Sequence, residues 1–66
     1  MTTAFEEDIL AELRERDLEV VELRAQLRRR GSAASRETVY ASLARLEANE
    51  LVRVNATCRA ATWEAR

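Results

Sequence analysis

The sequence contains no lysine, histidine or proline, and only one glycine and one cysteine. Without histidine it lacks the side chain that most often moves protons near neutral pH, and the commonest metal ligand. A single thiol, Cys58, cannot close an internal disulfide or build a zinc site, and it has no neighbouring base to activate it. One glycine cannot make a phosphate-cradling loop. Enzymatic chemistry is therefore not expected, nor is any cofactor or metal. Proline-free and nearly glycine-free, the chain is not a disordered linker. Long hydrophobic runs are also missing: residues 9–13 are broken by Glu12, so neither a signal peptide nor a membrane span is expected and the location read from the sequence is cytoplasmic. Large apolar residues are scarce, since 12 of the 31 hydrophobic residues are alanine. The remainder fill one small core in a single domain, 1–66, with no room for an enclosed substrate cavity and no small-molecule effector in evidence.

What is present is charge, unevenly spread. The net charge is −1, yet residues 1–22 hold eight acids and two bases, and residues 23–66 hold nine bases and four acids. Such polarity can steer a polyanion to one side of a molecule despite a neutral sum. All eleven bases are arginine, whose donor fork matches phosphates and guanine edges; an arginine-favouring genome would give the same bias.

Periodicity predicts three helices. Thr3 and Glu6 have capping-box spacing, and Phe5, Ile9, Leu10 and Leu13 form a stripe over 4–16. A break at Asp17–Glu19 follows, which reads as a plain turn. A second helix over 20–30 carries Val20, Leu23 and Leu27 inward and ends on Arg28, Arg29 and Arg30, with Gly31 at the left-handed position. Ser35 then caps a third helix over 35–49 with Val39, Leu43 and Leu46 inward. Asn49 is read as its left-handed end. A strand from Leu51 to Val54 and a second over 61–65 complete a hairpin with its tip at 55–60. Trp63 alternates inward as an anchor, in preference to a stacking platform for bases.

Two helices joined by a short glycine-containing turn have helix-turn-helix spacing. The string Thr38-Val39-Tyr40, Leu43, Leu46-Glu47, Leu51-Val52 resembles the TVY-L-LE-LV signature of winged helix-turn-helix regulators, the PadR group especially. The resemblance extends as a pattern over the whole chain, but specific identities are confined to 38–52. It implies an α+β, mainly α fold: three helices plus a C-terminal β-hairpin wing at 51–66. In winged-helix folds a short strand at the break after the first helix pairs with the wing, and Leu18 would be that residue. Ala41 departs from the family, which places arginine after the tyrosine. Glu50 departs too, standing where glycine usually precedes the final Leu-Val, so Asn49 is expected to make that turn. The family continues into a dimerisation helix beyond the wing, where this sequence ends. A lone domain of this size binds duplex DNA weakly, so a homodimer is expected for specificity, through whatever part of Phe5, Leu10 and Leu13 the core leaves uncovered.

The function implied is sequence-specific binding of double-stranded DNA in transcription regulation, with the third helix in the major groove. Away from its stripe that helix presents Glu37, Thr38, Ala41, Ala44, Arg45 and Ala48. Alanines permit close approach to a groove floor, although alanine is also the best helix former. Glu37 is read as a helix-start residue serving the dipole. The contact candidates are Ser35, Arg36, Thr38, Tyr40, Ser42 and Arg45, with the Arg36 stem and the Tyr40 ring at the core edge. Arg28, Arg29 and Arg30 are candidates for phosphates, although a charge run is also an ordinary solvated helix end. In the wing the candidates are Arg53, Asn55, Thr57 and Arg59. The rival reading is a winged-helix protein-interaction module working through acidic helix 1. A third is an architectural protein that binds DNA without regard to sequence.

Overall fold

Thr3 starts the first helix. Its hydroxyl accepts from the Glu6 N–H at 3.1 Å, and the Glu6 carboxylate accepts from the Thr3 N–H at 2.8 Å. This reciprocal cap satisfies two of the donors a helix start leaves open. In this computed structural model, which describes residues 2–56 and 61–66, α1 spans Ala4–Glu15, α2 Val20–Arg29 and α3 Arg36–Ala48. β1 spans Val52–Ala56 and β2 Ala61–Ala65. Three helices and an antiparallel hairpin make an α+β, mainly helical, winged-helix-like arrangement. None of the described helices is long and apolar enough to cross a membrane.

Helices α2 and α3 end in the same hydrogen-bond pattern. After α2, the Ser32 N–H donates to the Leu27 carbonyl at 2.8 Å and the Gly31 N–H to Arg28 at 3.0 Å. Gly31 sits at φ 81°, where a missing Cβ removes the penalty. After α3, the Leu51 N–H donates to Leu46 and the Glu50 N–H to Glu47, both at 2.9 Å. Here the left-handed residue is Glu50, at φ 61°. Asn49, expected to make the turn, has φ −91° and does not leave the right-handed half of the map. The expectation fails because the closing bonds of this motif dictate which position turns left-handed, whatever residue occupies it.

The strands pair from Val52↔Ala65 through Val54↔Trp63 to Ala56↔Ala61. Leu51 lies outside the strand, contrary to expectation, because its N–H caps α3. The pairing also runs further than expected, so Asn55 is a strand residue opposite Thr62 rather than part of the tip. Leu18 pairs with the other edge of β2: its N–H donates to the Trp63 carbonyl at 3.0 Å and its carbonyl accepts from the Trp63 N–H at 2.8 Å. Trp63 is thus held on both sides, and its ring is buried as the alternation requires.

One cluster joins everything: Ile9, Leu10 and Leu13 from α1, Leu18, Val20, Leu23 and Leu27, then Val39, Leu43 and Leu46, with Val52 and Trp63. Leu10 and Leu13 are each 3% exposed and Phe5 packs against the cluster. Of the α1 side chains expected to serve a dimer, Leu10 and Leu13 are covered and Phe5 remains partly exposed.

The Glu50 backbone generates a test. A side chain in left-handed geometry costs about 1–2 kcal/mol, partly offset in glycine by its freer unfolded chain. Glu50→Gly is expected to stabilise the protein by roughly 0.5–1 kcal/mol, read as a higher urea midpoint at unchanged slope. A lower midpoint would contradict the capping geometry.

Candidate nucleic-acid interface

The start of α3 is set by the turn before it, and polar side chains pin that turn to the helices beneath. Arg30, just past α2, ion-pairs with Glu12 of α1 through Nε and approaches Asp8 at 3.9 Å. The Ser32 hydroxyl donates to Asp8 at 2.6 Å. From inside α2, the Arg24 Nε–H donates to the Ala34 carbonyl at 3.3 Å. Residues 30, 32 and 34 are each anchored, and Ser35 follows as the cap of α3, accepting from the Thr38 N–H at 3.2 Å.

This network changes the role of Arg30. Proposed from sequence as a phosphate contact, its guanidinium is occupied by two carboxylates of α1, and Glu12 raises its pKa above the ordinary arginine value. Arg28 and Arg29 are exposed on the last turn of α2 and take part in no ion pair among the described residues. The run of three arginines therefore splits into two outward cations and one internal tie.

Along α3 the sequence candidates separate by face. Arg36 is exposed. Tyr40 is 48% exposed, so it stands out from the core edge. Thr38 is exposed, with its hydroxyl 2.9 Å from that of Ser35; Ser42 is half-buried. Arg45 is exposed but turned toward α1, its guanidinium 4.0 Å from the buried Glu6 carboxylate. Glu37, Ala41, Ala44 and Ala48 are all exposed, in agreement with the helical wheel. Arg36 to Arg45 are thus brought together on one element, and Arg28 and Arg29 end the helix before it.

On the hairpin, Arg53 ion-pairs with Glu64, its cross-strand partner in register. That guanidinium is the main reason the Glu64 carboxyl lies below its ordinary pKa; partial desolvation opposes the shift and Asn55 and Asp17 assist it. Asn55 is exposed. Thr57 and Arg59, the two tip candidates, lie outside the described residues, as does Cys58. No group of three His, Cys, Asp or Glu suited to a metal occurs among the described residues.

Sequence reasoning missed Asp8, Glu12, Arg24 and Ser32. The one signal available was the i, i+4 spacing of Asp8 and Glu12 beside the α1 stripe, because acids there cannot all be solvated. It also missed an open cleft of about 400 Å³ between α1 and the end of α3. A count of core formers cannot foresee a gap between elements. No family model, curated protein or solved structure matches the chain.

Two expectations follow from these ion pairs. Arg30→Ala strips Glu12 of its partner and should lower the urea midpoint, whereas Arg28→Ala with Arg29→Ala should leave it unchanged; equal effects would contradict the division. Glu64, with its folded pKa depressed, stabilises the native state above its unfolded value, near 4.5. That contribution is lost as pH falls through the folded value. Glu64→Gln should therefore flatten the loss of stability below about pH 4.5, measured as urea midpoints at pH 7 and pH 3.

Proposed function

We propose that this protein is a sequence-specific, double-stranded DNA-binding transcriptional regulator of the winged helix-turn-helix class, PadR-like in its signature. The reading places α3 in the major groove and the hairpin on the backbone or in the minor groove. The observation that carries it is the exposure of Arg36, Thr38 and Tyr40, and of Arg45 on the side toward α1, on a helix whose start is anchored by the turn after α2. A helix entering a groove needs such rigid placement, since base readout depends on position.

Arg36, Thr38, Tyr40, Ser42 and Arg45 are the proposed base and backbone contacts, with phosphate also met by the free N–H groups after Ser35. Arg28 and Arg29 grip phosphates beside the groove, and Asn55 touches the backbone from the wing. Arg30 and Arg53 drop from direct contact because carboxylates bond them directly, whereas Arg45 stands 4.0 Å from Glu6, beyond hydrogen-bond distance. So few cations on one copy bind duplex DNA weakly at physiological salt, so two copies on a repeated half-site are part of the proposal. Cytoplasmic residence belongs to the same reading. The acidic-module alternative loses ground, since Glu6 and Glu12 are buried and Asp8 is bonded to Ser32.

Fluorescence anisotropy on random-sequence duplex DNA across a salt series tests the proposal. Affinity should fall steeply as salt rises, and Arg28→Ala with Arg29→Ala should reduce the logarithmic slope by about one per arginine. Arg36→Ala should cost about 1–3 kcal/mol on a selected operator. Absence of binding at low salt would sink the regulator reading.

A further inference from the structure

We propose that the cleft between α1 and the end of α3 binds a small organic cation with an apolar body. At about 400 Å³ it falls within the range of small-molecule sites. Leu10 and Leu51 supply apolar wall, Glu6 and Glu7 lie toward the start of α1, and Arg14 and Asn49 complete the rim. Two acids against one base leave the lining negative, but burial decides the sign of the ligand. Arg14 and Glu7 are exposed and their charges are screened by water. Glu6 is 2% exposed, a desolvated carboxylate whose charge acts through little solvent.

The Glu6 carboxylate also has capacity to spare. One oxygen holds the Thr3 N–H at 2.8 Å, while the other lies 4.0 Å from the Arg45 guanidinium, beyond hydrogen-bond distance. A buried carboxylate gains most from a donor that reaches it directly. An ammonium or guanidinium entering the cleft supplies that donor and sets its apolar body against Leu10 and Leu51. Leu51, 37% exposed, is one of three large apolar side chains left open among the described residues, and this ligand covers it.

The cleft touches the joint between α3 and the wing of the proposed DNA reader. Asn49 and Leu51 flank Glu50, the left-handed residue joining α3 to the wing. Arg45 shares the Glu6 carboxylate. A cation at Glu6 frees Arg45 and removes a negative field beside α3, so occupancy raises DNA affinity. This coupling rests on the regulator reading; the cleft itself does not.

The test is a titration of the ¹⁵N-labelled protein with phenethylammonium, alongside neutral phenethyl alcohol and anionic phenylacetate. Saturable amide shifts at Glu6, Leu10, Asn49 and Leu51 are expected, with the alcohol and the anion at least about tenfold weaker. Glu6→Gln keeps an oxygen for the Thr3 cap but removes the charge, and should weaken the ammonium about tenfold while amide dispersion reports an intact fold. Equal binding of the three probes, equal binding by Glu6→Gln, or no saturable shift overturns the site. Anisotropy with saturating phenethylammonium should show DNA affinity raised about fivefold. Unchanged affinity overturns the coupling alone, while cation binding in a protein that binds no DNA at any salt leaves the cleft standing and removes the regulator reading.

Discussion

Every element of this chain buries its apolar side in the same cluster, and none has a second core to fall back on. Twelve side chains from three helices, Leu18 and both strands meet there. At this size total stability is on the order of 3–10 kcal/mol, while truncating one buried leucine costs roughly 2–5 kcal/mol. Leu43, Leu46 and Leu23, none of them exposed, are therefore shared by the whole molecule. The same economy explains Trp63. A two-stranded hairpin is marginal by itself, and this one survives because Leu18 adds a bridge on its free edge and the indole enters the core.

Around that core, charged side chains act as fasteners. Glu6 closes the cap of α1 and sits beside Arg45 of α3, and Glu12 and Asp8 hold Arg30 at the end of α2. These contacts cross between the acidic first third and the basic remainder. Part of the charge polarity written along the chain is thus consumed inside the fold, where it sets the relative placement of helices. The part that remains outward, Arg28, Arg29 and Arg36, borders the exposed side of α3. Stability and the proposed recognition surface therefore draw on the same set of arginines, divided by which of them meets a carboxylate.

The two helix ends show how backbone geometry overrides local preference. Gly31 and Glu50 occupy equivalent positions in the same closing motif. Glycine accepts the left-handed conformation at no steric cost, and glutamate does not. The chain tolerates strain at Glu50 because Leu51 must cap α3 and Val52 must enter both the core and the sheet within two residues. The neighbours of that strained joint, Asn49 and Leu51, line the α1–α3 cleft.

The secondary structure was legible in the sequence because it depends on local chemistry. Thr3–Glu6 and Ser35 announce helix starts, Gly31 a helix end, and the i, i+3, i+4 stripes the buried sides. The inward Trp63 was also readable, since alternation in a short strand leaves few choices, whereas the pairing of Leu18 followed only from the resemblance to winged-helix folds. Local boundaries erred where a hydrogen bond from beyond the element decided them, as at Asn49, Glu50 and Leu51. The candidate site was legible as a list of residues and less so as a surface. Nothing in the order Arg28-Arg29-Arg30 says that the third faces Asp8 and Glu12, residues at least 18 positions away, or that Arg53 meets Glu64. Tyr40 is left half exposed, and α1 keeps only Phe5 partly uncovered, because the packing of α1, α3 and the hairpin sets what is covered. By itself the sequence determined the elements and their buried sides, through short-range sterics and hydrophobic period. Only the tertiary structure decided which charges remain free, because pairing depends on distances across the chain that no local pattern records.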